Sequence, residues 1–218
     1  YDVHDRESSL PASRKGKIRL KLKRKPGEKS GKITYVTKKY RRLSDVDALV
    51  LHSTAGPERA VEKYWDFSVH FVITPSGSII QNHDEDVRAY GSSGFNSRSV
   101  AVEFVGLFKR GHDRRGNELW AKDSTLRNVP TARQIYSGRK LVRYLKKTIG
   151  IKYVLAHSQA ANKNCPGPEI WFNVGEWAID NSLSADGRSI TTGGGNSIPA
   201  DWRDDKWDFN KFLLAPDI

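Results

Sequence analysis

The sequence predicts an α/β fold in which a central mixed β-sheet is flanked by α-helices. Three observations carry this. Apolar runs of strand length recur at 47–52, 69–74, 99–105 and 152–156, each too short to be a core helix. The segment 131–149 instead repeats its apolar residues at helical spacing. The two kinds of segment alternate along the chain, which is the order that builds helix-covered sheets.

The chain begins with a basic extension, 1–44. Within it, Lys17-Ile18-Arg19-Leu20-Lys21-Leu22-Lys23 alternates charged and apolar residues with the period of a strand. Pro26-Gly27-Glu28-Lys29-Ser30-Gly31 supplies turn residues and Ile33-Thr34-Tyr35-Val36-Thr37 suits a returning strand, so a β-hairpin is expected. Its lysines either bind a polyanion or simply prevent edge-to-edge pairing of an exposed ribbon.

The main domain is expected over 45–180. Residues 47–52 read as a buried strand, 57–66 as a short helix with Pro57 in its first turn, and 69–74 as a second strand. Pro75-Ser76-Gly77-Ser78 turns the chain into Ile79-Ile80-Gln81, forming a hairpin. Residues 99–105 form another strand, followed by a charged segment, 109–128. A helix then starts with Thr131 as N-cap, one residue after Pro130. In that helix Ile135, Leu141, Val142 and Leu145 share an apolar stripe, Arg139, Lys140, Arg143, Lys146 and Lys147 face solvent, and Gly150 closes it. Residues 152–156 return as a strand, and 168–179 form a last helix carrying Ile170, Trp171 and Trp177. In the final segment, 181–218, residues 182–197 with Gly193-Gly194-Gly195 read as a linker or long loop. The aromatic, charged stretch 202–209 is expected to pack back on the core.

A chain of 218 residues suits one substantial core with extensions rather than two full domains. Its 37 Lys and Arg against 25 Asp and Glu, a formal net charge of +12, imply attraction to a polyanion: nucleic acid, anionic lipid or acidic wall polymer. The single cysteine excludes an internal disulfide and leaves a thiol available as a ligand. No apolar run is long enough to cross a bilayer, and Tyr1-Asp2-Val3-His4-Asp5 lacks the apolar core of a secretion signal. Because the sequence starts at Tyr1 rather than methionine, removal of a leader or an upstream domain stays open.

Two separated fragments carry the chemistry. His52 ends the run Leu49-Val50-Leu51 and leads into Ser53-Thr54-Ala55-Gly56, while His157 ends Leu155-Ala156 and is followed by Lys163-Asn164-Cys165-Pro166. Two imidazoles and one thiolate are three protein ligands, which leaves the fourth position of a tetrahedral zinc to water, the count of a catalytic site. On spacing alone the same residues also fit a strand-end surface histidine and a cysteine acting as a small buried hydrophobe. No compact signature such as His-Glu-x-x-His joins them.

Four fragments together are more specific. Val50-Leu51-His52-Ser53-Thr54-Ala55, Ser68-Val69-His70-Phe71-Val72-Ile73, Ser99-Val100-Ala101-Val102-Glu103-Phe104-Val105-Gly106, and Ala156-His157 through Lys163-Asn164-Cys165-Pro166 occur in an order that resembles the zinc N-acetylmuramoyl-L-alanine amidases. That family includes phage T7-type lysozymes, recycling-type bacterial amidases and peptidoglycan recognition proteins. The resemblance spans about 45–180 and implies a single catalytic domain of that fold, with Zn2+ held by His52, His157 and Cys165. It also implies that Glu103 is the general base, deprotonating the attacking water and later protonating the amine, and that Lys163 stabilises the oxyanion. By themselves, Glu103 reads as a strand-end glutamate reaching solvent or an arginine, and Lys163 as a solvated surface charge.

The sequence also departs from the family pattern. T7-type enzymes place a tyrosine before the second-strand histidine, where this chain has Val69, so the Glu103 variant of the mechanism fits better. The cysteine ligand resembles the phage and recognition-protein branch, whereas recycling-type enzymes use aspartate. A His-Ala-Gly segment common in the family is replaced by Tyr90-Gly91-Ser92-Ser93-Gly94. His70 reads as a histidine facing the core.

The resemblance implies a hydrolase cleaving the amide between N-acetylmuramic acid and L-alanine, of the kind found in phage lysins. Its partner would be bacterial peptidoglycan, with the basic extension meeting anionic wall or outer-membrane polymers. Such a protein acts outside the cytoplasmic membrane, in the periplasm or wall. The alternative is a peptidoglycan-binding module without catalysis, against which Cys165 argues. Nucleic-acid binding rests only on charge and the basic hairpin, with no RNA-binding motif or zinc-finger spacing, so no specific nucleic-acid partner is expected.

Overall fold

The computed structural model describes residues 16–21, 33–112, 118–120 and 128–209. The basic extension contributes β1 (Lys17–Lys21) and β2 (Ile33–Thr37), paired antiparallel as the alternation predicts. The turn expected at 26–31, and Leu22 and Lys23, lie outside the described residues. The hairpin is docked on the domain: Ile18 is buried against Val87 and Ala89, and the Tyr35 hydroxyl donates to Asp66 Oδ1 at 3.1 Å.

The central sheet contains β3 (Ala48–Ser53), β4 (Phe71–Ile73), β5 (Ile79–Gln81), β6 (Ser99–Phe104) and β9 (Tyr153–Ala156), in the order β5-β4-β6-β3-β9. The pairs β4/β6, β6/β3 and β3/β9 are parallel, whereas β5 runs antiparallel at the edge, so the sheet is mixed as expected. A separate hairpin, β7 (Lys109–His112) with β8 (Glu118–Trp120), occupies part of the charged segment; the rest of 109–128, apart from Asn128, lies outside the described residues.

Every residue of β3 is buried, because a central parallel strand is covered on both faces. One face carries Leu49, Leu51, Val100, Val102, Phe104 and Val154 against the helices. The other carries Ala48, Val50 and Leu155, packed with Phe95 and Ala160. Alternation then places His52, Glu103 and His157 on this second face, at the carboxyl ends of three parallel strands, where α/β sheets hold ligands.

The helix α1 (Ala132–Thr148) begins at Thr131, whose Oγ1 accepts the Gln134 N–H at 3.1 Å while Gln134 Oε1 accepts the Thr131 N–H at 3.1 Å. This reciprocal cap satisfies two otherwise unpaired donors. The helix buries Ile135, Leu141, Val142 and Leu145, and Gly150 ends it at φ +82°, a conformation that side chains disfavour. Arg139 departs from its expected solvent-facing position. Its Nε donates to Asn173 O at 2.7 Å and its guanidinium lies 5.0 Å from the Trp177 ring centroid, because Trp177 offers a flat apolar surface to a stacked cation. Arg143 lies over the same ring at 4.8 Å.

The last helix comprises α2 (Pro168–Ile170), a π-helical stretch (Trp171–Glu176) and α3 (Trp177–Asn181). The wider π turn brings residues five apart into register, and Trp171 Nε1 donates to Glu176 Oε1 at 2.9 Å. Glu176 in turn pairs with Arg188. The expected helix at 57–66 is reduced to a 3-10 turn, Val61–Lys63. Ala60 is extended, and Arg59 N–H donates to the Tyr64 hydroxyl at 2.7 Å. A segment this short with one fully buried anchor, Tyr64, cannot offset helix nucleation.

Residues 182–197 are a loop docked on the turn that carries His157. Buried Gln159 donates from Nε2 to Gly187 O and Ile190 O, both at 2.7 Å, and its Oε1 accepts the Ala156 N–H at 2.8 Å. Gly195 approaches so closely that a Cβ there would sit 2.0 Å from Gln159 O. Trp202 is buried in the core, and Asn173 is bonded to the stretch that follows it, through Trp207 O at 2.7 Å and Phe209 N at 2.9 Å.

Candidate metal centre

The carboxyl ends of β3 and β9 bring the two sequence-distant histidines together. The strands pair in parallel through Leu51 and Ala156, so the residues that follow them, His52 and His157, are neighbours on one face. Their Nδ1 atoms lie 2.9 Å apart and their ring centroids 4.3 Å apart. Cys165 completes the cluster: the three donor residues are all buried, and their ligand atoms lie within 4.8 Å of one another. Ser53, next to His52, donates its backbone N–H to Cys165 Sγ at 3.2 Å. An N–H aimed at sulfur favours the thiolate, the form that binds metal.

Burial, followed by the neighbouring His157 and then the Lys163 charge, holds His52 well below the ordinary histidine value. It is therefore a neutral imidazole with a nitrogen lone pair to offer. Two imidazoles and one cysteine sulfur, buried and convergent, are the donor set of a three-ligand zinc site.

Glu103 and Lys163 stand differently with respect to this cluster. Glu103 is the direct β6 partner of His52 in the β3/β6 register and is half-buried. Lateral partners in a sheet lie about 4.8 Å apart and project to the same side, so Glu103 leaves its strand on the face that carries His52. Lys163 is exposed at the rim, two residues before Cys165; its charge reaches the site, since it contributes to the depression of His52.

His70 is excluded from the cluster. Its Nδ1 accepts the Ala101 N–H at 2.9 Å, so its proton sits on Nε2, which donates to Val87 O at 2.8 Å. With both nitrogens occupied, it bridges β4, β6 and the loop after β5. Burial, then the Arg41 charge, lowers it to about 3, with the bond to Val87 opposing. The core-facing reading of this residue holds.

Sequence reasoning missed two residues that shape the site. Ser92 lies in the segment that replaces the family's His-Ala-Gly, and its hydroxyl is 3.0 Å from His52 Nε2. Gln159 locks the His157 turn to the C-terminal loop. Ser92 reaches His52 across 40 positions of chain, and Gln159 reaches Gly187 and Ile190 across 28 and 31, so neither contact is written in a local pattern.

Comparison with known proteins follows the same lines. A family model described as N-acetylmuramoyl-L-alanine amidase matches residues 42–168, more than half of the chain. The endolysin of Klebsiella phage KP32 is 30% identical over 123 residues, covering 56% of this chain and 71% of that protein. The endolysin of Enterobacteria phage K11 is 29% identical over 118 residues, covering 53% and 70%. Among solved structures, the N-acetylmuramoyl-L-alanine amidase LysC from Clostridium intestinale URNW superposes with a TM-score of 0.50 at 18% identity, over 68% of this chain and 96% of that one. The last is a likeness of fold.

Proposed function

The chain belongs to the N-acetylmuramoyl-L-alanine amidase family, and on that premise we propose that it is a phage-type lysin. It hydrolyses the amide between the lactyl group of N-acetylmuramic acid and the L-alanine of the peptidoglycan stem. The observation that carries this reading is the buried convergence of His52, His157 and Cys165 beside Glu103.

His52, His157 and Cys165 would hold zinc, which when bound polarises the scissile carbonyl and makes water more acidic. Glu103 takes the proton from the attacking water as its oxygen bonds to the carbonyl carbon. The electron pair of the C=O moves to oxygen, and the Lys163 ammonium compensates that charge. As the C=O re-forms and the C–N bond breaks, Glu103 returns its proton to the departing amine of alanine, leaving on the sugar a lactyl carboxylic acid that loses its remaining proton to the released amine or to solvent.

Residues 45–180 form the catalytic unit in this reading, with 1–44 and 181–218 as additions to it. Peptidoglycan is the partner, and the basic extension is suited to anionic wall or outer-membrane polymers. The site of action is the wall, outside the cytoplasmic membrane. Among the described residues no helix is long and apolar enough to cross a membrane.

The test is digestion of purified peptidoglycan by the protein as isolated, after chelation, and after zinc is restored, with mass spectrometry of the products. Free stem peptides beginning with alanine, lost on chelation and recovered with zinc, are the expected result. Binding to the wall without release under any condition would replace this reading with a non-catalytic recognition module.

A further inference from the structure

We infer that Ser92 is a positioning residue for His52, holding the ring so that Nδ1 faces the metal and the proton stays on Nε2. This rests on the zinc reading of the site. Ser92 is 1% exposed, and its Oγ lies 3.0 Å from His52 Nε2. Nδ1, across the ring, faces His157 Nδ1. A neutral imidazole has one N–H and one lone pair. When Nδ1 binds the metal its lone pair is used there, so Nε2 carries the hydrogen and Ser92 Oγ accepts it. A hydrogen bond through the second nitrogen fixes both tautomer and ring orientation and makes the ligand nitrogen more basic.

The fold holds Ser92 in place from several directions. Preceding it, Gly91 lies so close to the segment leading into β4 that a Cβ would meet Val69 Cγ1 at 2.9 Å and Ser68 O at 3.0 Å. The following chain closes a 3-10 turn, Ser93–Phe95, in which the Phe95 N–H donates to Ser92 O at 3.0 Å. The Ser92 N–H donates to Asn96 Oδ1 at 2.7 Å. Arg41 then anchors the loop: Nη1 donates to Asn96 O at 2.8 Å, and Nη2 to Ser99 O at 2.8 Å and Glu85 O at 3.0 Å. A half-buried guanidinium thus ties both ends of the loop whose middle residue touches His52. In this protein the loop that lacks the family's histidine supplies a hydroxyl to the ligand instead.

The experiment measures zinc affinity by competition with a chromophoric chelator, together with long-range 1H–15N correlation of the His52 ring. Ser92→Ala is expected to weaken zinc binding by about 10–100-fold, with Ser92→Thr, which keeps the hydroxyl, closer to wild type than Ser92→Ala. In the zinc-loaded wild-type protein His52 Nε2 is expected to be the protonated nitrogen, a readout that does not depend on any variant folding. Zinc affinity in a folded Ser92→Ala within twofold of wild type would overturn the inference, as would an unprotonated Nε2 in the zinc-loaded wild type. A wild type that binds no zinc would sink the metal reading and this inference together, whereas loss confined to the variant supports Ser92 alone.

Discussion

His52 and Glu103 are direct partners across the parallel strands β3 and β6, so a metal-ligand candidate and a carboxylate stand side by side on one face of the sheet. In the proposed mechanism Glu103 meets the reacting water without belonging to the donor set. Glu103→Ala is therefore expected to keep zinc affinity within a few-fold and to lower kcat by about 10²–10⁴, the usual worth of a general base. Measuring both on one preparation separates the roles, and full turnover in the variant would remove Glu103 as the base.

The three donors should fail together. His52→Ala or Cys165→Ala removes one of the buried ligand atoms that cluster within 4.8 Å, and each is expected to abolish both bound zinc and amidase activity. Metal analysis after dialysis, alongside the peptidoglycan digest, is the check. A variant that stays active while metal-free would contradict the site.

Lys163 is exposed, so its removal should leave stability unchanged within about 0.5 kcal/mol. Lys163→Met is expected to lower kcat by about 10²–10³, as for loss of an oxyanion partner, with zinc content preserved. A variant that raises KM alone would recast the lysine as a substrate-binding charge.

His70 should matter for stability and not for metal. His70→Leu strands the Ala101 N–H and the Val87 carbonyl in a dry environment, at a cost of about 1–3 kcal/mol for each unpaired group. Urea unfolding should show the loss while zinc content stays intact. Loss of zinc in a folded His70→Leu would show that the residue supports the metal site.

Glu169 gives a pH signature away from the site. Burial raises its carboxyl to about 7 from the ordinary value of 4.5, against the opposing Lys109 N–H and charge. Between those values the folded protein keeps a proton that the unfolded chain has released, so stability falls as pH rises from about 4.5 to 7. The loss attributable to this group is on the order of 2–3 kcal/mol. Glu169→Gln should remove it, making the variant relatively more stable at pH 8 than at pH 5. Parallel pH profiles for the two proteins would show that the carboxyl is not perturbed.

Elements whose signal is local were legible from the amino-acid order. The apolar runs of β3, β6 and β9 and the Thr131 and Gly150 ends of α1 follow from side-chain period and capping, which act over a few residues. The candidate donors were also legible, because His52 and His157 each end such a run and Cys165 follows in a matching fragment. Tertiary structure decided the rest. Strand order alone sets His52 opposite Glu103 and brings its Nδ1 to His157 across 105 positions of chain. The weak helix at 57–66 gave way because a short segment with one core anchor yields to the packing around it. Arg139 left solvent for Trp177, and Glu176 drew the last helix into a π turn, because each found a partner that no local pattern announces. Ser92 and Asn96 became part of the site only when Arg41, far earlier in the chain, anchored their loop. Periodicity records which face of an element is buried, whereas register, loop anchoring and hydrogen-bond partners arise only when distant segments are buried against one another.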